Sequence, residues 1–286
     1  MTVELCAPPA IATTTVDGLR VAIVGDRCAP RQVLIFMGLK ACVEPFELQR
    51  FALLARSWDA ALTVVDAPGC GYSGARLTGR ERRALRRGDF TDVARRMVAA
   101  AQEVNHRLRR GPVLVAGYSM GASLAAAAAA DPGRLRVAAM ILVEPVGVRR
   151  WNLLSLLRAV RIEDRTIDGY LAHNDGLTGV VQPADRRGEA PPRSRLDLAH
   201  LGFGLSRGRL PDDLQRASRI QEFPLQVVHG SASRLSRVAD ASWLVRRCRR
   251  AGIDVHDITV AGHHALWHSL PHVAGLARCT RLQWPG

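Results

Sequence analysis

Pro112-Val113-Leu114-Val115-Ala116-Gly117-Tyr118-Ser119-Met120-Gly121-Ala122-Ser123-Leu124-Ala125 passes from a run of apolar residues into a run of small ones, with a serine between two glycines at the change. The first five residues have the length and content of a buried strand. Residues 120–130 follow as an alanine-rich helix, stopped by Asp131-Pro132-Gly133. In that setting a Gly-x-Ser-x-Gly pattern has a mechanical meaning. The serine is forced onto a tight strand-to-helix turn, the glycines leave room for strained backbone and close packing, and the hydroxyl projects from the sheet edge. An ordinary helix-capping serine would account for Ser119 but not for the two flanking glycines. Ser119 is therefore the candidate nucleophile.

Outward from this junction, short apolar runs alternate with stretches of helical period. Residues 19–24 and 32–37 have strand character, joined by a turn through 25–30. Phe46, Leu48, Phe51, Leu53 and Leu54 share one helical face, and residues 61–65 return as a strand. A basic loop over 76–87 precedes a long helix expected over 89–109, with acids at its start and arginines at its end. Strands are expected again at 137–143, 224–228 and 255–260, with a helix near 237–251 and a terminal helical segment. The pattern predicts an α/β fold: a mostly parallel central sheet flanked by helices. Residues 147–221 break the alternation with an amphipathic helix near 151–160 and a Pro-, Arg- and Gly-rich stretch. They are expected to form an inserted helical cap, leaving 1–146 and 222–286 as the core.

The 286 residues, 48% hydrophobic, are enough for one large core. No apolar run approaches the roughly 20 residues of a membrane span. Residues 1–9 lack the basic start and apolar stretch of a signal peptide, which predicts a cytoplasmic protein. The six cysteines are scattered without metal-ligand spacing, so free buried thiols are expected and no metal site. The formal charge is +14, and lysine occurs once, at Lys40. Such a field attracts anionic partners, but the arginine pairs are dispersed along the chain and no nucleic-acid-binding motif accompanies them. A solvated basic surface is the expectation, with nucleic acid not the partner.

Three further segments, taken with the serine turn, resemble the α/β-hydrolase family over nearly everything after residue 17. Asp66-Ala67-Pro68-Gly69-Cys70-Gly71-Tyr72-Ser73 is similar to a family turn, in which Asp66 and Ser73 shape the loop. Phe36-Met37-Gly38-Leu39 is similar to the family's oxyanion loop, with Met37 where histidine is common. Ala261-Gly262-His263-His264, with Pro271 beyond, is similar to its histidine turn. The resemblance implies a serine hydrolase or esterase. Backbone N–H groups of Leu39 and Met120 would hold the oxyanion, and His264, with His263 as its rival, would take the serine proton. No cofactor or metal is implied, and the substrate would be a small acyl compound.

One family feature is missing. Where an aspartate commonly follows the penultimate strand in a Gly-x-x-Asp turn, this chain has Gly230-Ser231-Ala232-Ser233. Glu144, at the end of the strand after the nucleophile helix, is the replacement acid, because some family members supply theirs from that strand end. Asp240 and the absence of any acid are the competing assignments. Lys40 is open to two readings, orienting an anionic substrate or sitting as a solvated loop residue. Trp151, Leu153, Leu154, Leu156 and Leu157 are candidates to line an apolar acyl pocket. The missing aspartate also leaves room for a binding protein that has kept the serine turn and holds an acidic partner without turnover.

Overall fold

The computed structural model describes residues 11–71, 74–178 and 194–281. Cys6, Tyr72, Ser73 and the Pro- and Arg-rich stretch over 179–193 lie outside them. Eight strands form one sheet: β1 (Ile11–Val16), β2 (Leu19–Val24), β3 (Arg31–Phe36), β4 (Ala60–Val65), β5 (Pro112–Tyr118), β6 (Arg136–Val143), β7 (Leu225–Gly230) and β8 (Val255–Val260). Their order is β1-β2-β4-β3-β5-β6-β7-β8. β2 runs antiparallel to β1 and β4, and every other pairing is parallel. The chain thus has the mostly parallel α/β sheet that its alternating pattern predicts.

The central strands read as unbroken apolar runs because both faces are covered. On one face Leu34, Phe36, Val113, Val115 and Leu142 pack under helices α3 (Thr91–Val104), α5 (Met120–Ala129), α8 (Leu210–Ser218) and α9 (Val238–Arg250). On the other, Val33, Ile35, Leu114, Ala116 and Ile141 pack under α1 (Pro45–Trp58) and α10 (Leu270–Arg281), where Trp58 and Trp267 are fully buried. Leu48, Phe51 and Leu54 of α1 point inward and Leu53 is half-buried. The side chain of Phe46 is outside the described set.

Two local expectations are corrected and one strand is added. The basic stretch over 76–87 is not a loop: Gly79–Arg86 forms helix α2, started by a capping box in which the Thr78 hydroxyl accepts from Glu81 N–H and the Glu81 carboxylate from Thr78 N–H. Its inward face is Glu81, Ala84 and Leu85. The long helix expected over 89–109 is broken at Asn105. Its buried amide donates to Gln32 Oε1 at 2.8 Å and to Thr63 Oγ1 at 3.0 Å, and the chain resumes as the short α4 (Arg107–Arg110). Strand β1 was not foreseen. It pairs with β2 through a turn in which Asp17 and Gly18 both take positive φ, 48° and 75°.

Between β6 and β7 lie α6 (Leu153–Thr178), α7 (Arg195–Ser206) and α8. α8 packs on α5 and α9, α7 on α2, and α6 on α10 and a 3-10 turn over His264–His268. Among the described residues no helix is long and apolar enough to cross a membrane. Cys42, Cys70 and Cys248 are buried, whereas Cys28 and Cys279 are exposed.

The approach of α5 to the sheet is set by backbone meeting backbone. A Cβ on Gly121 would lie 1.9 Å from the Phe36 carbonyl oxygen, and one on Gly117 2.4 Å from that of Gly121. Neither oxygen belongs to a side chain that can turn away. Gly121→Ala is expected to destabilise the fold by more than about 2 kcal/mol in urea unfolding; a midpoint unchanged from the native chain would contradict the close approach.

Candidate active site

Five adjacent strand ends converge on one edge of the sheet. β5 delivers Ser119 at its C-terminal end in a conformation rare for a side-chain-bearing residue, φ 55° and ψ −113°. Its N–H donates to the Val143 carbonyl at 2.9 Å, so the turn is held by the neighbouring strand β6. Glu144 follows β6 directly, also at positive φ, 53°, and its N–H donates to the Val228 carbonyl of β7 at 2.7 Å. The turn after β8 presents His264. Strain is thus concentrated where two strands hand over their side chains.

These residues are brought together. His264 Nε2 lies 2.9 Å from Ser119 Oγ, and His264 Nδ1 lies 2.8 Å from Glu144 Oε2. With a carboxylate at Nδ1, that nitrogen carries the proton and Nε2 presents its lone pair to the hydroxyl. Glu144 is fully buried, while Ser119 and His264 are each 8% exposed. The Tyr118 ring stacks on the imidazole at 5.4 Å between centroids, and its hydroxyl donates to the His264 carbonyl at 3.0 Å. Burial pushes the Tyr118 phenol well above its ordinary range, and nearby Glu144 adds to the rise. It stays a neutral donor.

The remaining acceptor capacity of Glu144 is filled by the segment where an aspartate was expected. Gly230 N–H donates to Oε1, and the Ser233 hydroxyl donates to Oε2 at 2.5 Å. Ser236 N–H donates to Ser233 Oγ at 3.1 Å, which leaves that hydroxyl's proton for the carboxylate. The Gly-x-x-Ser turn is therefore occupied by a donor that supports an acid arriving from the next strand. Sequence reasoning missed Ser233, although its offset from Gly230 was the available signal. The competing candidates stand elsewhere: Asp240 pairs with Arg149 at 2.8 Å, and His263 meets the Tyr170 ring edge-on at 5.3 Å.

Residues 38–40 lie over the serine. A Cβ on Gly38 would come within 3.1 Å of the Tyr118 ring and 3.3 Å of Ser119 Cβ. Leu39 follows on this loop, and Met120 opens α5, where the first N–H groups have no partner within the helix. The Lys40 ammonium makes an exposed ion pair with Asp164 of α6 at 3.3 Å. The same helix reaches a further loop and helix α10. Glu163 Oε1 accepts from Arg234 N–H at 2.6 Å, and the Tyr170 hydroxyl lies 3.1 Å from His272 Nδ1. Of the leucines expected to line a pocket, only Leu156 faces inward; Leu153, Leu154 and Leu157 are exposed, because the buried stripe of α6 runs through Leu156, Ala159 and Glu163. Among the described residues no cluster of three or more His, Cys, Asp or Glu side chains is arranged to hold a metal.

Asp66 anchors the loop from below, accepting from Val43 N–H at 2.6 Å while its Oδ2 has no hydrogen-bond partner among the described residues. Burial raises its pKa to about 7, against the weaker lowering by Val43 N–H and Arg20 and with a small further rise from Glu44. Because the folded value lies above the ordinary 3.8, the native chain holds a proton that the unfolded chain has released. Stability from this group is full at low pH and is lost as pH rises through about 7. Asp66→Asn keeps the acceptor for Val43. Its urea midpoint should gain on the native protein more at about pH 8 than at about pH 5; an equal difference at both would refute the assignment.

A family model described as alpha/beta hydrolase fold matches residues 33–255. A comparison with curated proteins yields no match. Among solved structures, a thioesterase domain from the curacin biosynthetic pathway is 18% identical with a TM-score of 0.59, covering 95% of this chain and 98% of its own. A serine hydrolase of the polyaromatic hydrocarbon-degrading bacterium Cycloclasticus zankles is 13% identical with a TM-score of 0.65, covering 96% and 98%. An esterase from Rhodococcus sp. is 19% identical with a TM-score of 0.58, covering 98% and 100%. At these identities the likeness is one of fold.

Proposed function

Since the chain belongs to the α/β-hydrolase fold family, we propose that it is a serine hydrolase cleaving a carboxylic ester, thioester or lactone of a small acyl compound through an acyl-enzyme. The observation that carries this reading is the unbroken hydrogen-bonded line from Ser119 Oγ through His264 to Glu144, at 2.9 and 2.8 Å. His264 Nε2 takes the hydroxyl proton as Oγ attacks the carbonyl carbon. Glu144 holds the ring in the right tautomer and stabilises the imidazolium. The N–H groups of Leu39 and Met120 receive the negative charge on the carbonyl oxygen, and being fixed in place they need no reorganisation as it develops. The imidazolium then protonates the leaving group. Water, deprotonated by the same nitrogen, releases the acid and restores Ser119. The reaction calls on no cofactor or metal.

Residues 147–221 are proposed as the cap that selects the acyl group, and the compartment is proposed to be the cytoplasm. The esterase and the thioesterase domain among the structural neighbours agree with the reaction class. The rival reading, a binding protein without turnover, drew its strength from a missing acid; Glu144 within hydrogen-bond reach of His264 supports the catalytic reading over it.

Labelling with a fluorophosphonate and hydrolysis of p-nitrophenyl esters test the proposal together. Ser119→Ala is expected to abolish labelling and lower kcat/KM by about 10³-fold or more, and His264→Ala to do nearly as much. Glu144→Gln should cost about 10²- to 10⁴-fold, since the amide favours the wrong tautomer. Ser233→Ala, which removes one hydrogen bond to a buried charge, should cost about tenfold. A folded native protein that neither labels nor turns over any ester or thioester would sink the proposal and favour the binding reading.

A further inference from the structure

The outer face of α6 has a character that the inner face does not need. Leu153, Leu154 and Leu157 are 43%, 76% and 49% exposed, side by side on its first turn and a half. The other large exposed apolar side chains among the described residues, Ile11, Leu196, Ile220 and Val238, belong to four different segments. Along the same outer row the next two turns carry exposed Arg158, Arg161 and Arg165, and exposed Arg149 and Arg150 stand just before the helix. Arg149 is engaged by Asp240. Among the described residues Arg150, Arg158, Arg161 and Arg165 have no ion-pair partner, and the nearby Asp164 is paired with Lys40.

We propose that this face docks on an anionic lipid bilayer, with the three leucines entering the headgroup–acyl boundary and the flanking arginines meeting lipid phosphates. The four arginines outnumber the acids beside them in the sequence, Asp164, which is held by Lys40, and Asp168, so the net charge of the face is positive, complementary to phosphate and not to itself, which opposes pairing with a second copy. Guanidinium groups match phosphate oxygens in a two-pronged geometry. The leucines crown a convex helical ridge, a shape that a deformable plane accepts and that a protein partner would have to meet with a dedicated groove. Helix α6 lies flat in this arrangement and does not cross the membrane. Its inner residue Glu163 and its flank residue Asp164 touch the loops at Arg234 and Lys40, and Tyr170 touches the histidine turn at His263, so the docked helix is the one that lies over that site. The proposal does not depend on the catalytic reading, because binding is measured without turnover.

The full chain would be sedimented with phosphatidylcholine vesicles and with vesicles in which a third of the lipid is phosphatidylglycerol. Partition onto the anionic vesicles is expected, weakening in high salt as charge is screened. Leu154→Asp combined with Leu157→Asp should lower it at least tenfold, and Arg158→Gln combined with Arg161→Gln about tenfold, with circular dichroism melting unchanged because all four side chains are exposed. The proposal is overturned by a native chain that stays in the supernatant with both lipids, or by variants that bind as well as the native chain. It is equally overturned if light scattering finds a dimer that Leu154→Asp dissolves while no vesicle is bound. Retention only by an acidic protein, with vesicles ignored, would assign the face to a protein partner and overturn it too.

Discussion

Everything at the candidate site hangs on how near α5 lies to β3. Gly121 has no side chain, so the helix backbone rests against the Phe36 carbonyl, and Gly117 lets the turn before it fold over the same spot. That contact decides three things at once. It fixes where Ser119 emerges and puts the loop after Phe36 directly above it. It also points the first N–H groups of α5 at the space between. The strain visible in φ at Ser119 is the local cost of this arrangement, and the buried apolar strands on either side keep it from relaxing.

Most of the scaffold was legible in the sequence because strands buried on both faces of a parallel sheet are built from nearly continuous apolar runs, as over residues 19–24, 33–37, 61–65, 113–116 and 137–143, whereas the edge strand β8 (Val255-His256-Asp257-Ile258-Thr259-Val260) is half exposed and more polar. What escaped was decided by other forces. Thr13, Thr14 and Thr15 of β1 carry no hydrophobic alternation, so only the Asp17-Gly18 turn announced the hairpin. In α2 the density of arginine drowned a Thr-x-x-Glu capping signal that was present. The break at Asn105 follows from two buried polar partners, Gln32 and Thr63, far away in sequence. Local pattern has no access to such partners.

The site was legible to a similar depth. Ser119 announced itself through its glycines, and Glu144 and His264 through their places at strand ends; the structure brings the three within hydrogen-bond distance. The environment of Glu144 was not readable, because it is assembled from Gly230 and Ser233 on another strand. Nor was the direction of the α6 leucines. Both faces of that helix carry apolar residues, and only packing shows which stripe, through Leu156 and Ala159, was taken inward.

The hydrogen bond between Ser233 and Glu144 joins two addresses for a single negative charge. The segments after β6 and after β7 meet at Glu144 Oε2, the oxygen that faces His264 Nδ1, so the fold can lodge its carboxylate at either one. It cannot lodge one at each, since two ionised groups at 2.5 Å in a fully buried setting would repel strongly and one would have to take up a proton. A hydroxyl at the second address is a tenant that accommodates the first. A chain moving its acid from one strand to the other must therefore pass through a form with two carboxylates sharing a proton or a form with none. The serine marks which side of that passage this protein occupies.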